Sequence, residues 1–335
     1  MIAGALPLAV SFDFLTAWDF WIGVFIIAGV YGVFTLGLQI NVGYTGIINF
    51  GQAGFMALGA YATIVFTVTL GMPMLVGLLL ATLVTIAAGL LIGLPSLRLR
   101  ADYFAIATIA FAEIIRLTGQ NARGLTGGNQ GTISIELEQE RFFIDGWTTV
   151  SRSIEDNVLD PIGLGASEFS NLPLLALIWI TLIVLVIVLN RLIASPWGRV
   201  LRAIREDEDA ARALGKNAFA YKLQSLTIAS TLGALSGFFI LLQLQTVNQD
   251  VFQPLVTFVG YAILVLGGLA SFAGVMVGAV ILWTVLEGMR FLDLPLGADK
   301  IAAMRFIFVG LILILLMAFR PQGALGKREE MVLGE

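Results

Sequence analysis

The side chains able to do chemistry in this chain are few, and most of them carry no charge. Its 335 residues include no cysteine and no histidine, which excludes thiolate nucleophiles, disulfides and histidine acting as a general base or metal ligand. A glycine-rich phosphate loop is also lacking, because Gly215-Lys216 and Gly326-Lys327 are each followed by a residue other than serine or threonine. The sequence therefore predicts no catalytic residue, no metal site and no cofactor bound by this chain.

Uncharged hydrogen-bonding groups gather in one short segment, residues 41–52, between two strongly apolar stretches. Its polar side chains are those of Asn41, Tyr44, Thr45, Asn49 and Gln52. Such side chains, mixed with glycines, are expected where a membrane helix breaks and exposes backbone groups to a water-filled path. Hydrogen bonding between neighbouring helices is the alternative interpretation. We predict these residues as candidates for a path through the membrane.

One carboxylate is placed deep in an apolar run. Glu113 lies roughly ten residues into its predicted span, where a charge is costly and invites a functional interpretation. Arg116 follows three residues later, on the same face of a helix, so the two could equally form a structural ion pair. We therefore add Glu113 to the candidate path and keep the ion pair as the alternative.

The composition places these residues in a membrane. Hydrophobic residues make up 58% of the chain, charged residues 13%, and the mean hydropathy is +0.93, which is too apolar for a soluble protein of this length. Apolar runs near the length of about 20 residues that crosses a bilayer lie at 20–40, 50–70, 73–97, 102–119, 173–193, 222–246, 253–270, 272–290 and 301–319. The sequence thus predicts an all-α, polytopic transmembrane protein with about nine spans, within roughly eight to ten.

Glycines interrupt this pattern at 41–54 and 266–278, where broken or re-entrant helices are predicted. Elsewhere, pairs of small residues such as Gly233 and Gly237 are expected to let helices pack backbone to backbone.

Lysine and arginine indicate the orientation. Arg98, Arg100, the loop 194–222 and the tail after Arg320 fall on one side by the span count, and basic residues favour the cytoplasmic side. The largest loop, 120–172, falls on the opposite side and is acidic, so we expect it to face the periplasm or the exterior. An odd number of spans then places the amino terminus outside and the carboxyl terminus in the cytoplasm.

The loop 194–222 contains a predicted amphipathic helix, with Ser195 as its cap, Pro196 as its first residue and a left-handed Gly215 at its end. Its apolar face comprises Leu201, Ile204, Ala211 and Leu214. A helix lying in the lipid headgroups is one interpretation. The acidic run 206–209 would be repelled by anionic lipid, which favours a protein partner instead.

Six segments carry a resemblance to a known family. EDEDAARALG (206–215) resembles the cytoplasmic "EAA" loop of ABC-importer permeases, which docks into a cleft of the ATPase subunit. The matching segments are NVGYTGIINFGQAGFMALGAY (41–61), LRLRADYFAIATIAFAEIIRL (97–117), LTGGNQG (125–131), GRVLRAIREDEDAARALG (198–215), LVLGGLASFAGVMVGAVIL (264–282) and FRPQGALG (319–326). Together they span most of the chain and resemble the branched-chain amino acid permease family, although that family usually has a more neutral residue at Asp209 and a glycine at Ala270.

The resemblance implies a single permease domain, 1–335, in a bacterial inner membrane, forming half of a pore for branched-chain or other neutral amino acids. It implies two ATPase subunits that bind the ATP, a second homologous permease, a periplasmic amino-acid-binding protein and surrounding lipid, and no nucleic acid. The residues expected to couple the permease to the ATPases are Leu201, Ile204, Glu208, Ala210, Ala211, Leu214 and Gly215.

Two other functions remain open at this point. A urea or short-chain amide permease of the same kind would share these motifs. An ion-coupled secondary transporter would also have broken helices and buried carboxylates, but it would not need the amphipathic cytoplasmic helix. The LTGGNQG segment is expected to form a glycine-rich turn at the outer mouth, and residues 133–169 have no counterpart in the resemblance.

Overall fold

A computed structural model describes residues 16–140, 142–162 and 169–289, together with residues 304, 307, 310–311, 314 and 323–325. All regular secondary structure in these parts of the chain is helical. Numbered in chain order, the α-helices are α1 Trp18–Leu38, α2 Gln52–Ile64, α3 Met74–Ser96, α4 Ala101–Asn121, α5 Arg123–Thr126, α6 Ile133–Gln139, α7 Phe143–Ile154, α8 Leu172–Ala194, α9 Pro196–Glu206, α10 Glu208–Ala213, α11 Ala218–Leu244, α12 Leu255–Gly267 and α13 Phe272–Gly288.

The described residues include five helices long and apolar enough to cross a membrane, and six if α12 and α13 together form one span. These five are α1 with its π-helical continuation to Thr45, α2 with its continuation to Thr69, and α3, α8 and α11. Helix α4 covers the predicted span 102–119 but is not among them, and the predicted span 301–319 lies largely outside the described residues. The all-α, polytopic class is confirmed, and nine is an approximate count.

Burial separates central helices from peripheral ones. In their most apolar stretches, 78% of the residues of α1 and of α11 are buried, against 22% in α3 and 33% in α8. Helices α2, α12 and α13 pack against the central pair. The peripheral helices therefore present long apolar faces outward, where lipid or another membrane subunit would cover them.

Helices α2 and α11 cross at very short range through small residues, as the glycine spacing predicted. A Cβ atom at Gly59 would lie 2.4 Å from the Cα of Ala234, and one at Gly237 would lie 2.1 Å from the carbonyl oxygen of Met56. Only residues without a side chain allow this approach.

The large loop 120–172 is folded wherever the structure describes it. Left-handed backbone at Gly127 and Gly128 forms the predicted glycine-rich turn. Helices α6 and α7 follow, and they are linked by the buried carboxylate of Glu136, which accepts a hydrogen bond of 3.0 Å from the backbone nitrogen of Phe143. Burial raises the pKa of Glu136, and that hydrogen bond opposes the rise.

Candidate functional site

The first predicted break lies between α1 and α2. The π-helical turn after α1 ends at Gly46, whose φ is +76°, and residues 46–51 are not helical. The side-chain nitrogen of Gln52 then bonds the carbonyl oxygens of Phe34, at 3.4 Å, and Ala229, at 3.0 Å. Six residues can reach at most about 20 Å, which is enough to cover the rise of about 16 Å along the helix from Phe34 to Thr45. Residues 46–51 thus run back alongside α1, and α2 begins inside the bundle.

At the inner end of α1, three buried polar side chains meet. The Thr45 hydroxyl lies 2.8 Å from the Ser225 hydroxyl of α11 and 2.8 Å from the carbonyl oxygen of Ile40. Ser225 donates to the side-chain oxygen of Asn41 at 2.9 Å. These contacts join the end of α1 to the start of α11.

Asn49 and Gln52 order the non-helical residues 46–51 themselves. The side-chain oxygen of Asn49 accepts from the backbone nitrogen of Gly51 at 2.8 Å, and its nitrogen donates to Gln52 at 3.3 Å. Tyr261 of α12 donates to the carbonyl oxygen of Asn49 at 2.9 Å. Five of the six candidate path residues are thus brought together around the first break and are buried, with hydrogen bonds that hold segments of this chain to one another. Their role in a substrate path stays a prediction.

The second predicted break separates α12 from α13, whose axes are bent by 114°. Gly268 and Ala270 have φ of +107° and +58°, and Ser271 caps α13 by accepting from the backbone nitrogen of Gly274 at 3.0 Å. Tyr44 donates to the carbonyl oxygen of Ala270 at 2.6 Å. With the Gln39 amide oriented so that its oxygen faces α13, that oxygen accepts from two backbone nitrogens there. The two breaks therefore lie side by side at the inner end of α1.

The sixth candidate, Glu113, lies apart from this cluster. It forms a two-bond ion pair with Arg116, at 2.9 and 2.5 Å, as the spacing predicted. The pair is on α4, one to two turns beyond Thr108, which accepts from the backbone nitrogen of Phe50 at 3.1 Å. The Glu113 side chain is 36% exposed and that of Arg116 is 18% exposed.

The amphipathic segment of the loop 194–222 differs from its prediction in being two helices. The chain is extended at Asp207, with φ −152°, and the Asp207 carboxylate caps α10 by accepting from the backbone nitrogen of Ala210 at 2.9 Å. Ser195 occupies the predicted cap position, but its hydroxyl lies 2.6 Å from the carbonyl oxygen of Leu192 and does not cap α9. Gly215 has the predicted left-handed conformation, with φ +78°.

The predicted apolar face is divided by this break, which corrects its placement on one continuous helix. Its role in ATPase coupling stays a prediction. Leu201, Ile204 and Ala211 are at most 3% exposed, because they pack against this chain's own core. Leu214 is 80% exposed, and Ala210 and Gly215 are exposed beside it. Glu208 faces the chain and is bonded to Arg212 and Lys222. The amphipathic pattern thus indicated three of the four covered positions and was wrong for Leu214, and the described residues that cover the three belong to this chain.

Arg202 and Arg205 reach the first break, although the sequence analysis gave them no individual role. Arg205 donates to the carbonyl oxygen of Gly43, and Arg202 lies over the Tyr44 ring, 5.8 Å from its centroid. A cavity of about 300 Å³ opens beside Arg205, lined also by Gly46 and Lys222. The helical pattern indicated neither arginine, because both lie away from the apolar face that holds Leu201 and Ile204.

A bundle of membrane-crossing helices with two adjacent breaks, joined to a folded and charged loop at one end, defines a polytopic membrane transport protein. Residues 20–317 match the family model described as "Branched-chain amino acid transport system / permease component", and the chain belongs to this family.

The chain is similar to named permease proteins of that family. It is 34% identical to the "High-affinity branched-chain amino acid transport system permease protein LivM" of Salmonella typhimurium over 304 residues, covering 88% of this chain and 68% of the relative. The protein of the same name from Escherichia coli is 31% identical over 325 residues, covering 97% and 74%. The "Probable branched-chain amino acid transport permease protein LivM" of Methanocaldococcus jannaschii is 26% identical over 347 residues, covering 90% and 91%. No solved structure matches the chain significantly.

Family and fold together establish a multi-pass membrane protein that serves as the permease component of a transport system.

Proposed function

We propose that this chain forms half of the translocation path of an ATP-driven importer for branched-chain or other neutral amino acids. ATP is bound and hydrolysed by two partner ATPase subunits, a second homologous permease completes the pore, and a periplasmic protein delivers the amino acid. Relatives named as branched-chain amino acid permeases support the substrate class. The observation that carries the proposal is the folded loop 194–222, because a secondary transporter has no need of it.

The ATPase contact is assigned to the outward side of α10. Ala210, Ala213 and Leu214 are exposed there, next to the left-handed Gly215 and beyond the part of the loop that is buried in the permease. Leu201, Ile204, Glu208 and Ala211 support this surface from beneath. The proposed orientation places α10 in the cytoplasm, the amino terminus outside, and the chain in the inner membrane of a bacterium.

Helix α4 provides an argument about the second permease. A carboxylate that is 36% exposed on the predicted span 102–119 is costly in contact with lipid, even when it is paired. We therefore assign the open side of α4, with Glu113 and Arg116, to the second permease or to the water-filled path. Asn41, Tyr44, Thr45, Asn49 and Gln52 would then border the path from within this subunit when the breaks rearrange.

The proposal is tested by placing a charge on the outward side of α10. Leu214→Glu should abolish co-purification of the ATPase subunits, because a carboxylate buried unpaired at the contact costs several kcal/mol, on the order of a hundredfold or more in affinity. Ala203→Glu on α9, also an exposed position, is the matched control and should leave co-purification intact. Normal ATPase binding by Leu214→Glu would remove this assignment.

The substrate class is tested separately. Binding of leucine, valine and urea to the transporter's own periplasmic protein is measured by calorimetry, and uptake of each is followed in vesicles. Tight binding of leucine or valine supports the proposal. Binding of urea without binding of the amino acids would replace the substrate class while leaving the ATP-driven mechanism in place.

A further inference from the structure

The side chain of Arg205 packs on the point where the first span breaks. Its guanidinium donates to the carbonyl oxygen of Gly43, in the last turn of the π-helical continuation of α1. Its side-chain stem packs on Gly46, where an added Cβ would lie 3.0 Å from the Arg205 Cγ. The carbonyl end of a helix carries partial negative charge, so a cation is favoured at this position. The cytoplasmic loop is therefore bonded directly to the first break.

Arg202, one turn earlier on α9, reaches the second break through Tyr44. Its guanidinium lies 5.8 Å from the centroid of the Tyr44 ring, within the range of a cation–π contact. The Tyr44 hydroxyl in turn donates to the carbonyl oxygen of Ala270, between α12 and α13. One turn of α9 thus contacts both discontinuities.

Each of these two arginines has a buried donor without a hydrogen-bond partner. The Nε atoms of Arg202 and Arg205 are buried and have no hydrogen-bond partner. Buried donors left unpaired raise the free energy of the arrangement that contains them. A second arrangement of the breaks that offered hydrogen-bond acceptors to these two Nε donors would therefore be lower in free energy for these two groups.

The loop is stiff enough to transmit a displacement to these arginines. Leu201 and Ile204 anchor α9 in the core, while Glu208 at the start of α10 bonds both Arg212, at 2.6 Å, and Lys222 of α11. A force applied to α10 therefore reaches α9 and the inner ends of α1 and α11 together.

We propose that Arg202 and Arg205 are positioning residues that couple movement of the cytoplasmic loop to rearrangement of the two helix breaks. The proposal rests on the proposed function, since it requires ATPases that move the loop. Loss of the arginine contacts leaves the ATPases docked and hydrolysing, while the breaks no longer follow each cycle.

The test compares Arg205→Ala with Arg199→Ala in the complete transporter reconstituted in liposomes. Arg199 is on the same helix, is exposed, and donates to the carbonyl oxygen of Ala194 in its own loop, away from both breaks, which makes it a matched control. The measured quantity is leucine taken up per ATP hydrolysed, because a loss of folded complex lowers both rates and leaves their ratio unchanged. Arg205→Ala should lower the ratio about tenfold, the size of a typical coupling between sites, and Arg199→Ala should not change it.

Two further variants keep the test decisive. Tyr44→Phe retains the ring under Arg202 but removes the bond to Ala270, and should lower the ratio by a smaller factor, about threefold. If Arg205→Ala fails to assemble, Tyr44→Phe decides the matter. Ratios in both variants equal to that of Arg199→Ala would overturn the proposal. A wild-type complex that takes up leucine without any requirement for ATP would instead contradict the proposed function.

Discussion

At the scale of single residues, Ala270 is an alanine in a backbone conformation that favours glycine. Its φ of +58° is left-handed, a conformation that costs an alanine about 1–2 kcal/mol relative to glycine. The segment resembles a family pattern with glycine at this position, so the departure noted in the sequence corresponds to a strained residue at the second break. The strain lies beside the bond from Tyr44, where movement of the break is proposed.

Ala270→Gly is expected to stabilise the folded protein. Relief of the left-handed strain exceeds the added freedom of glycine in the unfolded chain, which costs about 0.4–1 kcal/mol, so the net gain is about 0.5 kcal/mol. The measurement is the unfolding midpoint of the detergent-solubilised protein in denaturant. Ala262→Gly, in the right-handed interior of α12, is the control and should lose about 1 kcal/mol. Equal destabilisation by both changes would contradict the argument.

Residue types around the breaks were predictable, and their partners were not. A cluster of asparagine, threonine and glutamine in an apolar stretch must be hydrogen-bonded if it is buried, so the sequence shows that bonds exist. Ser225 and Tyr261, which complete them, come from helices about 180 and 210 positions further on. Such pairings depend on how distant helices pack, which no local pattern contains.

At the scale of elements, the same limit applies to the loop 194–222. Its amphipathic period indicated that Leu201, Ile204 and Ala211 are covered but not that Leu214 is exposed, because what covers each position depends on the rest of the fold. The sequence also contains a signal for the break at Asp207. Aspartate favours the position before a helix, where its carboxylate accepts from the backbone nitrogen three residues later, here that of Ala210. The two breaks in the spans were predicted correctly because glycines interrupt otherwise continuous apolar runs.

The crossing of α2 and α11 allows a sharp test of packing. Gly237→Val should place methyl groups where the backbone of Met56 and Ala60 now lies, at 2.1 and 2.8 Å from the first added carbon. Backbone cannot move aside as a flexible side chain does, so we expect a loss of about 3 kcal/mol or more.

Gly23→Val is the matched control, because nothing lies within 4 Å of a Cβ at Gly23 in α1. The measurement is the half-life of monodisperse protein on heating in detergent. The Gly237 variant should lose most of its half-life and the Gly23 variant little. Similar half-lives for the two variants would show that α2 and α11 do not cross as closely as described.

At the scale of the whole molecule, helix α11 connects the basic loop 194–222 to the acidic loop 120–172. Helix α11 begins beside the loop 194–222, where Lys222 bonds Glu208, and ends beside the acidic loop, where the backbone of Val247 bonds Thr132. Its 27 residues rise about 40 Å. The basic and acidic loops are therefore held at opposite ends of the bundle, so the charge asymmetry in the sequence corresponds to an asymmetry of the fold.

The last prediction follows from that separation. Single cysteines are placed at Ala213, in the loop 194–222, and at Ser153, in the acidic loop, and both positions are exposed. The chain has no cysteine of its own that would give background labelling. Basic loops favour the cytoplasm, so in intact cells a membrane-impermeant maleimide should label the Ser153 variant and leave the Ala213 variant unlabelled. In inside-out vesicles the pattern should reverse. Labelling of both variants from one side would contradict the proposed orientation, whereas exchange of the two patterns would invert it and move the ATPase contact away from α10.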